Sequence, residues 1–191
     1  STSWYGKLDF ILGVIMKYKD ELIRSMEWLA EKDDTVIIGQ SVKYSGNAIY
    51  NTVKTLPVKK IMEVPVFEEI QMGMSTGMAL EGLIPISCFP RFDFLLRCVD
   101  SLVNHLDKMQ VMTDDNFKPK VIIRTSIGSS KPLNGGVQST NDYTEPFRQM
   151  LTEVDVVLLN EPKEIFPAFQ RAYEREGSSL IVEWGDHYND K

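Results

Sequence analysis

Side chains able to do chemistry gather between Met62 and Lys108, with Glu68 at the centre. Pro65, Val66 and Phe67 lead into Glu68 and Glu69, and a helical pattern runs on toward Gly82, with Pro85 just beyond as a stop signal. Glu68 therefore falls in a helix's first turn. One reading is a capping acid, because the positive end of the helix dipole favours a carboxylate there. The other is chemical: a carboxyl group with Phe67 and Phe94 nearby in the chain could act on a ligand.

Five further positions add to this. Gly73 and Gly77 lie four apart, on one helix face. Each interior glycine costs a helix about 1 kcal/mol against alanine, so a pair at this spacing points to close approach by another backbone. Arg91 and Arg97 are cations that could bind an anion, although for Arg97 the spacing equally allows a surface ion pair. Phe94, with Phe89 and Phe92, could pack in the core or against a ligand ring.

The elements that would position these groups alternate. Apolar residues recur near a 3.6-residue period from Leu8 to Leu29, predicting a helix over 7–31 interrupted near Gly13 or Lys17. Thr35 to Gly39 reads as a buried parallel strand, followed by a polar loop over 39–46 and a weaker helix from Asn47 to Leu56. Further strands are predicted over 60–64, 84–89, 120–125, 154–159 and 179–183. Helices are predicted after Glu68, around Leu95 to Leu106, over 143–153 and over 162–177. Residues 109–118 read as a polar loop, and a long glycine-, serine- and asparagine-rich loop spans 126–141. Such alternation implies a mostly parallel six-stranded sheet in a single α/β domain with helices on both faces. Ligands of such sheets bind at the carboxyl ends of the strands, and Glu68 directly follows the second strand.

The run Glu68-x4-Gly73-Met74-x-x-Gly77, followed by Glu81-Gly82-Leu83-Ile84-Pro85-Ile86-Ser87-Cys88-Phe89, resembles the pyrimidine-binding domain of thiamine-diphosphate enzymes of the transketolase group. It is similar in particular to the β subunit of the decarboxylating component of 2-oxo acid dehydrogenases. The resemblance covers residues 18–188 and is most specific over 65–100. It implies that Glu68 hydrogen-bonds a ring nitrogen of the cofactor's aminopyrimidine, that Phe94 stacks on that ring, and that Gly73 and Gly77 lie at a subunit interface. The order Gly39, Val42, Tyr44, Gly46 also resembles the β subunit, and it places Gln40 near the cofactor where the family commonly has an acid. The run Phe94-Leu95-Leu96-Arg97 with Asp100 is similar to the deoxyxylulose-phosphate synthase branch, which makes Arg97 a candidate phosphate ligand, and Arg91 is a second candidate for substrate. Where the family has a histidine that assists proton transfer, this chain has Gln138, which hydrogen-bonds but relays no proton near neutral pH. His105 and His187 are not obvious substitutes.

The family's Gly-Asp-Gly motif, which holds the diphosphate through a metal ion, is missing from the sequence; Gly185-Asp186 lacks the second glycine. The resemblance thus implies thiamine diphosphate as cofactor, magnesium held by a diphosphate-binding, α-like partner subunit, and a hetero-oligomer such as α2β2 acting on a ketose phosphate or 2-oxo acid. An alternative is a non-catalytic assembly or regulatory subunit that keeps the fold. Residues 1–17 read as an N-terminal helical extension and 18–191 as the pyrimidine-binding domain. A net charge of -6 argues against a non-specific nucleic-acid binder. No apolar run is long enough to span a membrane, and two cysteines without metal-ligand spacing suit a reducing, cytoplasmic setting.

Overall fold

The computed structural model describes residues 16–130 and 134–189. Its strands, β1 (Thr35–Gly39), β2 (Ile61–Glu63), β3 (Ile84–Cys88), β4 (Ile122–Ile127), β5 (Asp155–Leu159) and β6 (Ser179–Trp184), form one sheet in the order β2-β1-β3-β4-β6-β5. Every neighbouring pair is parallel. The helices are α1 (Tyr18–Ala30), α2 (Tyr50–Val53), α3 (Glu68–Leu80), α4 (Phe92–Leu95), α5 (Met109–Met112), α6 (Thr144–Met150) and α7 (Pro162–Glu174).

Strand residues point alternately to the two sides, so a sheet covered on both faces buries two separate apolar sets. On one side Ile37, Ile86, Ile122 and Ile181 pack with Leu22, Met26 and Leu29 of α1, Val53 of α2, and Ile165 and Phe169 of α7. On the other, Ile123, Leu180 and Val182 pack with Met72 of α3, Phe92 and Leu95 of α4, Phe147 of α6, and Leu102 and Leu106 between α4 and α5. All strands run the same way, so their carboxyl ends share one edge, where the loops bearing the candidate residues emerge.

Sequence and structure part at several boundaries. Among the described residues the first helix begins at Tyr18, Met16 and Lys17 not being helical; the rest of the predicted helical extension lies in residues 1–15, outside the described residues. The helix expected over 47–56 contracts to the single turn of α2. The helix expected after β3 is a mixed run: α4, a 3₁₀ turn at Leu96–Cys98 and a π-helical turn at Ser101–Leu106. Its apolar spacing survives because Leu95, Cys98, Leu102 and Leu106 still face the core. The stretch read as a polar loop over 109–118 contains α5.

A buried ion pair crosses the sheet. The Arg124 guanidinium on β4 donates to both Glu183 carboxylate oxygens on β6, at 2.6 and 2.9 Å, with neither side chain exposed. The Tyr188 hydroxyl also donates to Glu183, and Arg124 reaches Thr52 Oγ1 on α2 at 3.2 Å. Nearby, the Tyr18 hydroxyl donates to the Leu159 carbonyl and accepts the Trp184 N–H, both at 2.9 Å. The sequence marks each residue, though not their pairing: one charge in each of two otherwise uncharged strands, VIIRTSI and SLIVEW. A second buried carboxylate, Asp107, accepts backbone N–H groups of Thr152, Glu153 and Val154 at 2.9–3.1 Å and the Lys108 ammonium at 2.7 Å. Burial works to raise its pKa, but Lys108 and the three amides outweigh that and hold it below the ordinary carboxylate value.

Candidate functional site

Glu68 is the first residue of α3 and is half-buried. Its helix seats on β3 through polar contacts: Gln71 Nε2 donates to Ser87 Oγ and the Cys88 carbonyl, each at 3.1 Å, and Ser75 Oγ donates to Ser87 Oγ at 3.0 Å. With Met72 in the core, these bonds fix which side of α3 faces inward. α3 packs against the Leu96–Cys98 turn, where burial first, and the Glu68 charge second, push the Cys98 thiol up to about 12.

The outward side of α3 is apolar and uncovered. Phe67 and Ile70 are each about half exposed (52% and 51%), Met74 is partly exposed, and a Cβ placed on Gly73 or Gly77 would meet nothing within 4 Å. The chain alone therefore does not enclose Glu68 in the aromatic surroundings anticipated from Phe67, whose side chain is exposed. Phe94 is half-buried, whereas Phe89 and Phe92 are wholly in the core.

At the neighbouring carboxyl end of β1, Gly39 permits a close approach that any side chain would block, since an added Cβ would lie 2.7 Å from the Cys88 carbonyl. Gln40 follows. Its carbonyl accepts from Asn47 Nδ2 at 3.1 Å, and its side-chain Oε1 is buried with no hydrogen-bond partner. Beyond it, three successive backbone N–H groups, of Ser41, Val42 and Lys43, converge on the Glu63 carboxylate at 2.5, 2.9 and 2.8 Å. Sequence reading passed over Glu63. The available signal was an acid ending a short strand beside a strand that ends in glycine and a polar loop.

Gln138 is exposed on a loop closed by its own bonds: Ser139 N–H and Thr140 Oγ1 both donate to the Gly136 carbonyl. That loop is fastened to the turn after β3. Arg91 donates to the Ser139 carbonyl at 2.6 Å, and Asn141 Nδ2 donates to Asp93 Oδ1 at 2.6 Å. The structure thus brings Arg91 to the Gln138 loop and engages its guanidinium there, while Arg97 is exposed one turn further on. His105 is exposed and paired with Asp100 at 3.5 Å, and His187 packs its ring 5.4 Å from that of Tyr18. Among the described residues, no three or more His, Cys, Asp or Glu side chains gather as a metal-binding group. No described helix is long and apolar enough to cross a membrane.

No protein-family model matches the chain. A pyruvate dehydrogenase E1 component subunit beta from Cyanidium caldarium is 30% identical over 56% of this chain and 34% of its own length. The mitochondrial subunit of the same name from Saccharomyces cerevisiae is 29% identical over 62% of this chain and 32% of its own. A 2-oxoisovalerate dehydrogenase subunit beta from Pseudomonas aeruginosa is 23% identical over 68% of this chain and 37% of its own. In fold, a split-gene transketolase solved as an inactive β4 tetramer superposes with a TM-score of 0.66 at 16% identity, over 88% of this chain and 51% of that one. The chain spans about a third of the length of these sequence relatives and half that of the structural one. The fold is that of the split-gene transketolase chain, a parallel sheet with helices on both faces. The sequence relatives are named as beta subunits of pyruvate dehydrogenase E1 components and of a 2-oxoisovalerate dehydrogenase.

Proposed function

We propose that the chain is the pyrimidine-binding, β-like subunit of a split thiamine-diphosphate enzyme of transketolase or 2-oxo acid decarboxylase type. The observation that carries the reading is Glu68: a carboxylate on the first turn of α3, beside the carboxyl ends of parallel strands and next to an uncovered apolar helix face. The residues present suit the cofactor's ring. Gln40 Oε1 is a buried acceptor without a donor, and the aminopyrimidine carries an amino donor. Phe94 is half-buried on the turn after β3, with surface left to stack on a ring.

When bound, thiamine diphosphate supplies the carbon nucleophile. The chain's own part is to orient and protonate. Glu68 shares a proton with the pyrimidine ring nitrogen, Phe94 fixes the plane of the ring, and Gln40 accepts from its amino group. A subunit docked over Phe67, Ile70, Gly73 and Gly77 excludes water from the site. In this reading the α-like partner brings the diphosphate and magnesium sites, giving a hetero-oligomer such as α2β2. Arg97, with what remains of the Arg91 guanidinium, meets the anionic end of a ketose phosphate or 2-oxo acid. The buried, unlinked Cys88 and Cys98 suit a reducing, cytoplasmic setting.

A second reading, a non-catalytic assembly subunit, is favoured by Gln138, which stands exposed and cannot relay a proton. Glu68→Gln separates the two. In the complex with the diphosphate-binding subunit it is expected to lower turnover by about a thousandfold, with the sedimentation of the complex unchanged. Full turnover by this variant would reject the catalytic assignment.

A further inference from the structure

We infer that Glu63 is a positioning residue: an internal anion that fills an anion-binding nest at the carboxyl end of β1 and thereby fixes Gln40 for ligand recognition. This deepens the reading above and rests on it for the identity of the ligand.

Three consecutive backbone N–H groups aimed at one point make a concavity that binds anions. Those of Ser41, Val42 and Lys43 do so here, and their occupant is the Glu63 carboxylate, at 2.5–2.9 Å. The turn is costly to form without that occupant, because Ser41 sits at φ 50°, a conformation that residues with a Cβ adopt reluctantly. Gln40 is held from both sides: its carbonyl takes the Asn47 amide, and the next three residues hang on Glu63. Such fastening accounts for how a side-chain acceptor without a donor stays buried rather than swinging into water, where it would be satisfied. Glu63 also ends β2 five residues before Glu68, so one short segment sets both the loop carrying Gln40 and the start of the helix carrying Glu68.

The test uses the full chain. In Glu63→Ala, amide hydrogen exchange at residues 41–43 is expected to speed up by about tenfold or more, as for the loss of charge-assisted bonds, while β1 keeps its protection. Added acetate, but not chloride at equal ionic strength, should restore much of that protection by refilling the nest. A carboxylate that merely packed would show no such rescue. Glu63→Gln, which keeps the shape and loses the charge, guards against misfolding of the alanine variant; it should exchange faster than the unsubstituted chain without responding to acetate. In the complex with the diphosphate-binding subunit, Glu63→Ala and Gln40→Ala should each weaken thiamine diphosphate binding by about tenfold, and the double variant by no more than either.

Exchange within twofold of the unsubstituted chain in both Glu63 variants would overturn the inference. So would unchanged cofactor affinity in Glu63→Ala where Gln40→Ala lowers it, and that result leaves the proposed function standing. Failure of the unsubstituted complex to turn over with thiamine diphosphate would sink the proposed function instead, and the exchange and acetate measurements would still decide whether Glu63 holds the loop.

Discussion

The surroundings of Arg124 and those of α3 treat charge and apolar surface in opposite ways. Beneath α1, α2 and α7, Arg124, Glu183 and Tyr188 are fully buried and satisfy one another. Around α3, by contrast, Glu68 is only half-covered, Gln40 Oε1 lacks a donor, and Phe67, Ile70 and the two glycines face outward with nothing against them. The buried charges Arg124, Glu183 and Asp107 find their partners within the chain, whereas Gln40 Oε1 has none there. A buried charge without a partner costs several kcal/mol, so no such group persists in a core by neglect.

The sharpest way to break this contrast is on the sealed side. Glu183→Gln should leave Arg124 as an uncompensated buried cation and lower unfolding stability by about 3–5 kcal/mol, while Arg124→Met combined with Glu183→Leu should recover most of the loss. Denaturant midpoints of the three chains give the answer, and a double variant as unstable as the single one would show that packing, not charge, is at stake. On the open side, calorimetric titration of the chain alone should show little binding of thiamine diphosphate, with affinity rising by about a hundredfold or more once the diphosphate-binding subunit is present. Tight binding by the lone chain would mean that the open side is already complete.

Asp107 offers a smaller effect with a defined pH dependence. Its carboxyl is held below the ordinary value, so between the folded and unfolded values the unfolded chain binds more protons and stability rises with pH. The contribution should be fully present above about pH 4 and disappear as pH falls through the folded value. Asp107→Asn should cost about 2 kcal/mol at neutral pH and flatten the acid limb of the stability profile. Smallest is Gly73→Ala. With open space at its Cβ, the lone chain should gain about 1 kcal/mol in thermal unfolding, whereas Gly73→Leu should impair assembly of the complex. A leucine that assembles normally would remove α3 from the interface.

Much of the architecture was legible because it rests on short apolar runs bounded by turn residues. TVIIG and SLIVEW read as strands, and the Glu68 helix announced itself by its flanking prolines and acids. What escaped was cooperative. Nothing local in VIIRTSI says that Arg124 will meet Glu183, because that pairing exists only once β4 and β6 lie side by side, two residues out of direct register. Glu63 escaped for the same reason, its three amides lying about twenty residues earlier in the chain. Residues 92–106 misled differently: the apolar spacing was right, but two changes of helical pitch let it follow the sheet. At the candidate site, the positions of Glu68 and Phe94 followed from the elements, whereas Arg91's engagement with Ser139 depends on a loop fold that no periodicity encodes.

The Tyr18 hydroxyl bridges Leu159 and Trp184, 141 and 166 residues away, and α1 packs along α7. During synthesis on the ribosome, α1 emerges long before the surface that covers it. Part of its apolar stripe stays uncovered until residues 159–184 have been made, so closure of the domain waits on those residues.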